Sequence, residues 1–261
     1  MTTLRGTLSA ELIKVRHSRV LRAVLVISIG LSVGITALLT AFGGGDVLAQ
    51  HQAVEGGGRY EILFFGAFFG VWAYVFFAAG FTASEFKDGL INYTFAASAK
   101  RSRVLLAKAI IVAAGGLIIG VVTSAINFAL TQGVLGLTGH PVLTLADPGL
   151  LRTMLVFIPA QLVIWGLLGL LLGAALRSTT PTVLILFLGS LLPVVTAQFL
   201  PPVWGNTVPR WMPGALIESL AGLSVPGSAG YLPLLPAVIA TVGWVLIFAL
   251  IGLRWYRSRD I

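Results

Sequence analysis

The chain has 261 residues, of which 57% are hydrophobic and 10% are charged, and its mean hydropathy is +0.98. These values lie outside the range of soluble domains and predict a membrane protein. The net charge of +8 does not indicate nucleic-acid binding, because the basic residues lie in short segments between apolar runs. The absence of cysteine excludes disulfides, thiol nucleophiles and cysteine-based metal sites.

Six apolar runs divide the chain, and each is long enough to cross a membrane as a helix, which takes about 20 residues. They predict an all-α polytopic membrane protein, in which residues 1–261 form a single transmembrane domain without a separate soluble catalytic domain. The first run is longer than the core of a signal peptide, so we expect it to be retained. The predicted spans are 20–42, 62–84, 109–137, 152–176, 182–200 and 232–253.

The positive charges are distributed unevenly between the segments that join the spans. Fourteen of the seventeen Lys and Arg residues fall in segments that alternating spans place on one side, and only Arg59, Arg152 and Arg210 fall on the other. The side richer in positive charge is cytoplasmic by the positive-inside rule. Both termini are therefore expected in the cytoplasm.

Residues 1–19 predict an amphipathic helix ahead of the first span. Leu4, Leu8, Leu12 and Val15 share one helical stripe, and basic residues surround it. Such a helix suits the headgroup region of the inner leaflet. Alternatively, its charges serve only to set the topology. Both interpretations remain open at the level of sequence.

The segment from Ser84 to Lys108 is polar and predicts a second short amphipathic helix. Ser84 can cap its start, and acidic residues in the first turn suit the positive end of the helix dipole. An apolar face on such a helix suits a groove in a partner protein, and it equally suits the lipid surface. The residues of this face are Phe86, Leu90, Tyr93 and Ala97.

Several parts of the chain resemble the type-2 ABC transporter permeases. The stretches Ser84-Glu85-Phe86-Lys87-Asp88-Gly89, Ala97-Ser98-Ala99-Lys100-Arg101-Ser102-Arg103 and Ala107-Lys108 are similar to that family's loop between spans two and three. Glu11-Leu12-Ile13-Lys14 resembles its entry helix, and Val208-Pro209-Arg210-Trp211-Met212-Pro213-Gly214 resembles the stretch before span six. Lys100 departs from the pattern, since many relatives carry proline there.

The resemblance implies an exporter subunit in a bacterial cytoplasmic membrane. It would pair with a second permease subunit, as a homodimer or a homologous heterodimer, and with two ATP-binding cassette ATPase subunits on the cytoplasmic face. No Gly-x-x-x-x-Gly-Lys-Ser/Thr surrounds the four lysines, so ATP-Mg is expected in the partner and no cofactor in this chain. The resemblance assigns coupling to the ATPase to Glu85, Phe86, Lys87, Asp88, Gly89, Leu90, Tyr93, Arg101 and Arg103.

Span two carries an aromatic face that is a candidate transport cavity. An aromatic wall suits an amphipathic or lipid-like solute, such as a peptide antibiotic or a drug. The alternative is a surface that packs against lipid or other helices, which is the more common use of aromatic stripes. The face consists of Phe65, Phe68, Phe69, Trp72 and Phe76.

Eight of the twelve prolines lie between Pro193 and Pro236, which argues against one straight helix between spans five and six. We expect short helices in the outer leaflet, with Trp211 and Glu218 as a candidate exit-side gate. An acidic residue amid apolar neighbours is a functional candidate. Alternatively, Glu218 simply faces external water.

No enzyme signature is present. The chain contains neither a His-Glu-x-x-His metal motif nor a Gly-x-Ser-x-Gly elbow, so we expect neither catalysis nor a bound metal. The alternative to an ATP-driven permease is a self-contained channel, a secondary transporter or a membrane-anchored assembly factor. An ion-coupled carrier would carry charged residues deep within its spans, and these spans have almost none.

Overall fold

The structure, a computed structural model, describes residues 3–52, 60, 62–87, 101–199, 201, 207–228 and 230–258. These residues form helices and short connections, and no β-strand occurs among them. Short 3-10 turns at Ile62–Phe64 and Pro209–Trp211 stand before the third and seventh α-helices. The α-helices of the described ranges are α1 Leu4–His17, α2 Arg19–Gln52, α3 Phe65–Lys87, α4 Arg101–Leu137, α5 Pro148–Leu176, α6 Thr179–Phe199, α7 Pro213–Leu220 and α8 Leu234–Ser258.

Each of the six predicted spans coincides with one of these helices. Five of the described helices, α2, α3, α4, α5 and α8, are long and apolar enough to cross a membrane. The sixth candidate, α6, has 21 residues and is apolar over Thr179–Leu192. The prediction of an all-helical protein with apolar helices suited to a membrane is therefore confirmed. The side of the membrane that each helix end faces stays a prediction.

The N-terminal helix α1 packs against the bundle with a face that the sequence did not predict. The buried residues of this face are Thr7, Glu11 and Val15. They recur every four residues and therefore lie on the same side of the helix. Of the predicted apolar stripe, Val15 is buried, whereas Leu4 and Leu12 are exposed. Ion pairs of Glu11 determine which side of α1 faces the bundle, and the expected position of the apolar stripe at the headgroups stays a prediction.

A column of four hydroxyl side chains runs along one side of α2. Four-residue spacing places its members on one helical face, where all of them are 3% exposed or less. Ser28 Oγ donates a hydrogen bond to the Gly70 carbonyl oxygen of α3 at 2.7 Å, and Asn127 Nδ2 of α4 donates to Ser32 Oγ at 3.1 Å. Polar contacts thus join α2 to both neighbours inside the bundle. The column consists of Ser28, Ser32, Thr36 and Thr40.

Glycines allow the helices of the bundle to approach closely. A methyl group at Gly66 of α3 would overlap the Ser32 carbonyl of α2, so a larger residue has no space there. A Cβ at Gly173 of α5 would lie 2.9 Å from the Ala79 carbonyl oxygen of α3. By contrast, a Cβ at Gly30 or Gly34 of α2 would meet nothing within 4 Å. Glycines thus permit close helix contacts on α3 and α5, whereas Gly30 and Gly34 of α2 contact no neighbouring helix among the described residues.

Helix α5 contains a wide π turn at Thr153–Phe157, just before Pro159. Proline lacks an N–H, and its ring would clash with the carbonyl one turn earlier in a regular α-helix. The π turn changes that local hydrogen-bond pattern. Gly120 of α4 packs directly on this proline, since a Cβ there would lie 2.5 Å from Pro159 Cα. The contact between α4 and α5 thus includes the proline that follows this irregular turn.

Candidate functional site

Four charged side chains from three helices meet where α3 ends, and we call them the ion cluster: Glu11 and Lys14 of α1, Glu85 of α3 and Lys108 of α4. Lys14 Nζ lies 2.7 Å from Glu11 Oε1 and 2.6 Å from Glu85 Oε1. Lys108 Nζ lies 2.7 Å from Glu11 Oε2 and 3.1 Å from Glu85 Oε1. Each cation therefore contacts both anions, and the formal charges of the cluster cancel.

Most of the ion cluster is buried. Lys108 is 0% exposed, Glu11 is 2% exposed and Glu85 is 5% exposed, whereas the Lys14 side chain is 39% exposed. Lys108 Nζ also donates to the Phe81 carbonyl oxygen at 2.9 Å and lies 3.8 Å from the Phe81 ring centroid. A charge withdrawn from water is destabilising unless paired, so each buried member depends on the others.

The contacts within the ion cluster are not equivalent. The contact between Lys108 and Glu11 Oε2 is an ion pair only, because this oxygen accepts no hydrogen bond from the described residues. Burial works to lower the pKa of Lys14, but hydrogen bonds and Coulombic attraction from Glu11 and Glu85 outweigh it and raise that pKa above 10.5. Lys14 therefore remains a cation throughout the physiological pH range.

The ion cluster includes the last turn of α3, which extends further than the sequence predicted. We expected span two to end at residue 84 and a separate helix to begin with Ser84. In the structure, α3 continues to Lys87, and Glu85 and Phe86 belong to its last turn. Two lysines neutralise Glu85, so its burial is tolerated and the helix continues beyond the apolar run.

A second contact set at the same end joins α3 to α5 and α8. The ring of Phe86 packs edge-to-face on Tyr256, with 5.7 Å between centroids, and the Arg177 guanidinium lies 4.6 Å from the centroid of the Phe86 ring. Arg177 ends α5 in the left-handed conformation, with φ of 55°. Phe86 is thus engaged within the chain.

The remaining residues assigned to the ATPase contact are only partly described. Lys87 is the last residue of α3, Arg101 is the first of α4, and Arg103 follows half-buried in the first turn of α4. Asp88, Gly89, Leu90 and Tyr93 lie outside the described residues. The structure therefore brings the two ends of this connection together through Glu85 and Lys108, and contact with a partner stays a prediction.

The aromatic face of α3 divides into a packed part and an exposed part. The ring centroid of Trp72 lies 5.3 Å from that of Trp165 in α5 and 5.0 Å from that of Phe187 in α6, so this side chain helps to join three helices. The four phenylalanines of the face are 37–44% exposed. A cavity role for these residues stays a prediction. The exposed members are Phe65, Phe68, Phe69 and Phe76.

Short helical elements occur between α6 and α8, as expected. Trp211 is 46% exposed, and its carbonyl oxygen accepts a hydrogen bond from Trp244 Nε1 of α8 at 2.7 Å. Glu218 is half-buried in α7, next to the fully buried Ile217. The structure thus fixes Trp211 to α8, whereas the gate role of Trp211 and Glu218 stays a prediction.

The sequence did not indicate that Glu11, Lys14 and Lys108 belong to one site. One usable signal was the isolation of Glu11 as the sole acidic residue of a basic helix. Another was the position of Lys108 as the only charged residue of α4 from Val104 onward, since a charge within such a helix needs a partner. These signals show that partners exist without showing which residues they are.

Comparisons with known proteins do not identify the chain. No family model matches it, and no curated protein matches its sequence.

Proposed function

We propose that the chain is the permease subunit of an ATP-driven ABC exporter in a bacterial cytoplasmic membrane. It would form, with a second permease subunit, the pathway for an amphipathic solute, and two separate ATPase subunits would power it. The proposal is supported by the resemblance of residues 84–108 to the type-2 permeases. The observation that carries it further is the ion cluster, which lies where this connection leaves and re-enters the bundle.

The ion cluster joins the two helices from which the connection starts and ends. Residues 88–100 join the end of α3 to the start of α4, and Glu85 contacts Lys108 across these two helices. Glu11 joins α1 to these two helices through its ion pair with Lys108. A force applied to the connection would therefore reach three helices together, because separating them exposes or strands buried charges.

Energy for transport would come from another polypeptide. The chain has no phosphate-binding loop of the Walker type, so ATP hydrolysis belongs to a partner. The described spans carry few charges, which disfavours coupling to a proton or ion gradient. An exporter that is powered by a separate ATPase subunit accounts for both properties.

The first test asks whether an adjacent gene encodes a soluble ATPase and whether that ATPase co-purifies with this chain. Transport is then measured in proteoliposomes. We expect ATP-dependent efflux that a hydrolysis-deficient ATPase abolishes. Leu90→Asp, in the connection, should reduce co-purification, whereas Leu145→Asp, at an exposed site between α4 and α5, should not. Transport without ATP and without a co-purifying ATPase would refute the proposal and favour a self-contained channel or carrier.

A further inference from the structure

The outward side of α1 and the first turn of α2 form a surface whose charged groups are all basic. Four arginines on it are exposed, and none pairs with an acidic group among the described residues. The only acidic residue of α1, Glu11, points into the bundle and contacts Lys108. We call this the basic surface, and its arginines are Arg5, Arg16, Arg19 and Arg22.

Burial of one side of α1 determines what its other side presents. Because Glu11 pairs with Lys108 of α4, α1 cannot rotate about its own axis without breaking a buried ion pair. Leu12 and Ile13, which are each 56% exposed, therefore face outward beside the arginines. Exposed apolar and basic side chains together are typical of a helix that lies at a lipid headgroup boundary.

The basic surface lies at the start of the exposed apolar stripe of α2. The exposed stripe of α2 includes Val26, which is 68% exposed, and Leu38, which is 57% exposed. Arg22 and Arg19 precede Val26 by about 6 Å and 10 Å along the helix, at 1.5 Å per residue. Both arginines thus lie beside the exposed Val20 at the start of this candidate span, where lipid phosphates are expected.

We propose that the basic surface binds the phosphate groups of anionic phospholipids in preference to zwitterionic ones. The planar guanidinium of arginine binds phosphate oxygens in pairs, and the anionic headgroup of phosphatidylglycerol has no ammonium of its own to compensate that phosphate. Leu12 and Ile13 would enter the upper acyl region beside the bound headgroup. This binding requires no ATPase and is separate from the transport proposal.

The absence of cysteine permits a direct test with a single label. Leu12→Cys is labelled with bimane, and the full chain is reconstituted in bilayers that contain brominated phosphatidylglycerol or brominated phosphatidylcholine at equal mole fraction. We expect quenching by phosphatidylglycerol to be roughly twofold stronger or more, because each surface arginine adds to the attraction. The excess should fall at high salt, since screening weakens exposed charges.

Paired substitutions separate a specific surface from general basicity. Arg16→Gln with Arg22→Gln should bring the quenching ratio toward one, whereas Arg16→Lys with Arg22→Lys should retain much of the excess. Arg254→Gln, at an exposed arginine of α8, is the matched control and should leave the ratio unchanged. Thermal unfolding of each variant checks its folding. Equal quenching by both lipids in the parent protein, or an equal loss in Arg254→Gln, would overturn the proposal.

Discussion

Removal of the buried cation Lys108 provides the sharpest test of the ion cluster. In Lys108→Met, a side chain of similar length fills the space, so little cavity forms, but Glu11 and Glu85 lose one of their two cations. Both carboxylates are nearly fully buried. The expected result is a large loss of stability that arises from uncompensated charge and not from packing.

The magnitude follows from the contacts that remain. Deleting one partner of a buried ion pair costs about 3–5 kcal/mol. Lys14 still contacts both carboxylates at 2.6–2.7 Å, which favours the lower end, about 3 kcal/mol. For a chain of this size, such a loss lowers the midpoint of thermal unfolding by about 6–12 °C.

The assay is thermal unfolding of the detergent-purified protein, followed by gel filtration of the soluble fraction. Lys14→Met is the matched control, because Lys14 contacts the same carboxylates from a partly exposed position. Water can enter the partly exposed place that Lys14 leaves and solvate the two carboxylates, so its loss should cost less, about 1 kcal/mol. The double variant Lys108→Met with Glu85→Gln should regain about half of the lost stability, since one buried anion disappears with its cation.

Two results would refute this reasoning. The first is a loss in Lys108→Met no larger than that in Lys14→Met, which would mean that burial of Lys108 does not determine its contribution. The second is a double variant less stable than Lys108→Met, which would mean that Glu85 contributes through contacts other than charge balance.

Three further predictions concern other parts of the bundle. Trp72→Ala should lower the free energy of unfolding by about 2–3 kcal/mol, because Trp72 joins three helices. Phe76→Ala, at an exposed position, should change it by less than about 1 kcal/mol. Reduced transport by a stable Phe76→Ala protein would support the cavity role, and normal transport would contradict it. Gly66→Leu should strongly reduce the yield of folded protein on gel filtration, because the new side chain would overlap α2, whereas Gly30→Leu should be tolerated. Equal yields of the two variants would contradict the close approach of α3 to α2. The difference in stability between the parent and Lys14→Met should stay constant from pH 7 to 10 and decline only above pH 10.5. The raised pKa of Lys14 means that its ion pairs stabilise the folded protein until Lys14 itself is deprotonated. A decline between pH 7 and 9, measured by thermal unfolding, would contradict the raised pKa.

Hydropathy predicted the helices because a span must be apolar along its whole length, a property that local sequence carries. All six predicted spans accordingly coincide with helices. The ion cluster was beyond such reasoning, since Glu11 and Lys108 lie 97 positions apart and neither residue's neighbours indicate its partner. The start predicted at Ser84 failed for the same reason, because a distant lysine allows the acidic Glu85 to remain within α3.

The hydroxyl column of α2 limits how this helix can move. Turning α2 by one residue about its axis would carry Ser28 away from the Gly70 carbonyl and Ser32 away from Asn127, at a depth where no bulk water replaces the lost hydrogen bonds. The same turn would drive larger side chains against Gly66, where even a methyl group has no room. Rotation of α2 alone is therefore disfavoured both by the loss of buried hydrogen bonds and by steric overlap at Gly66. Any conformational change that displaces the first span must carry α3 and α4 with it, and the three helices are expected to move as one block.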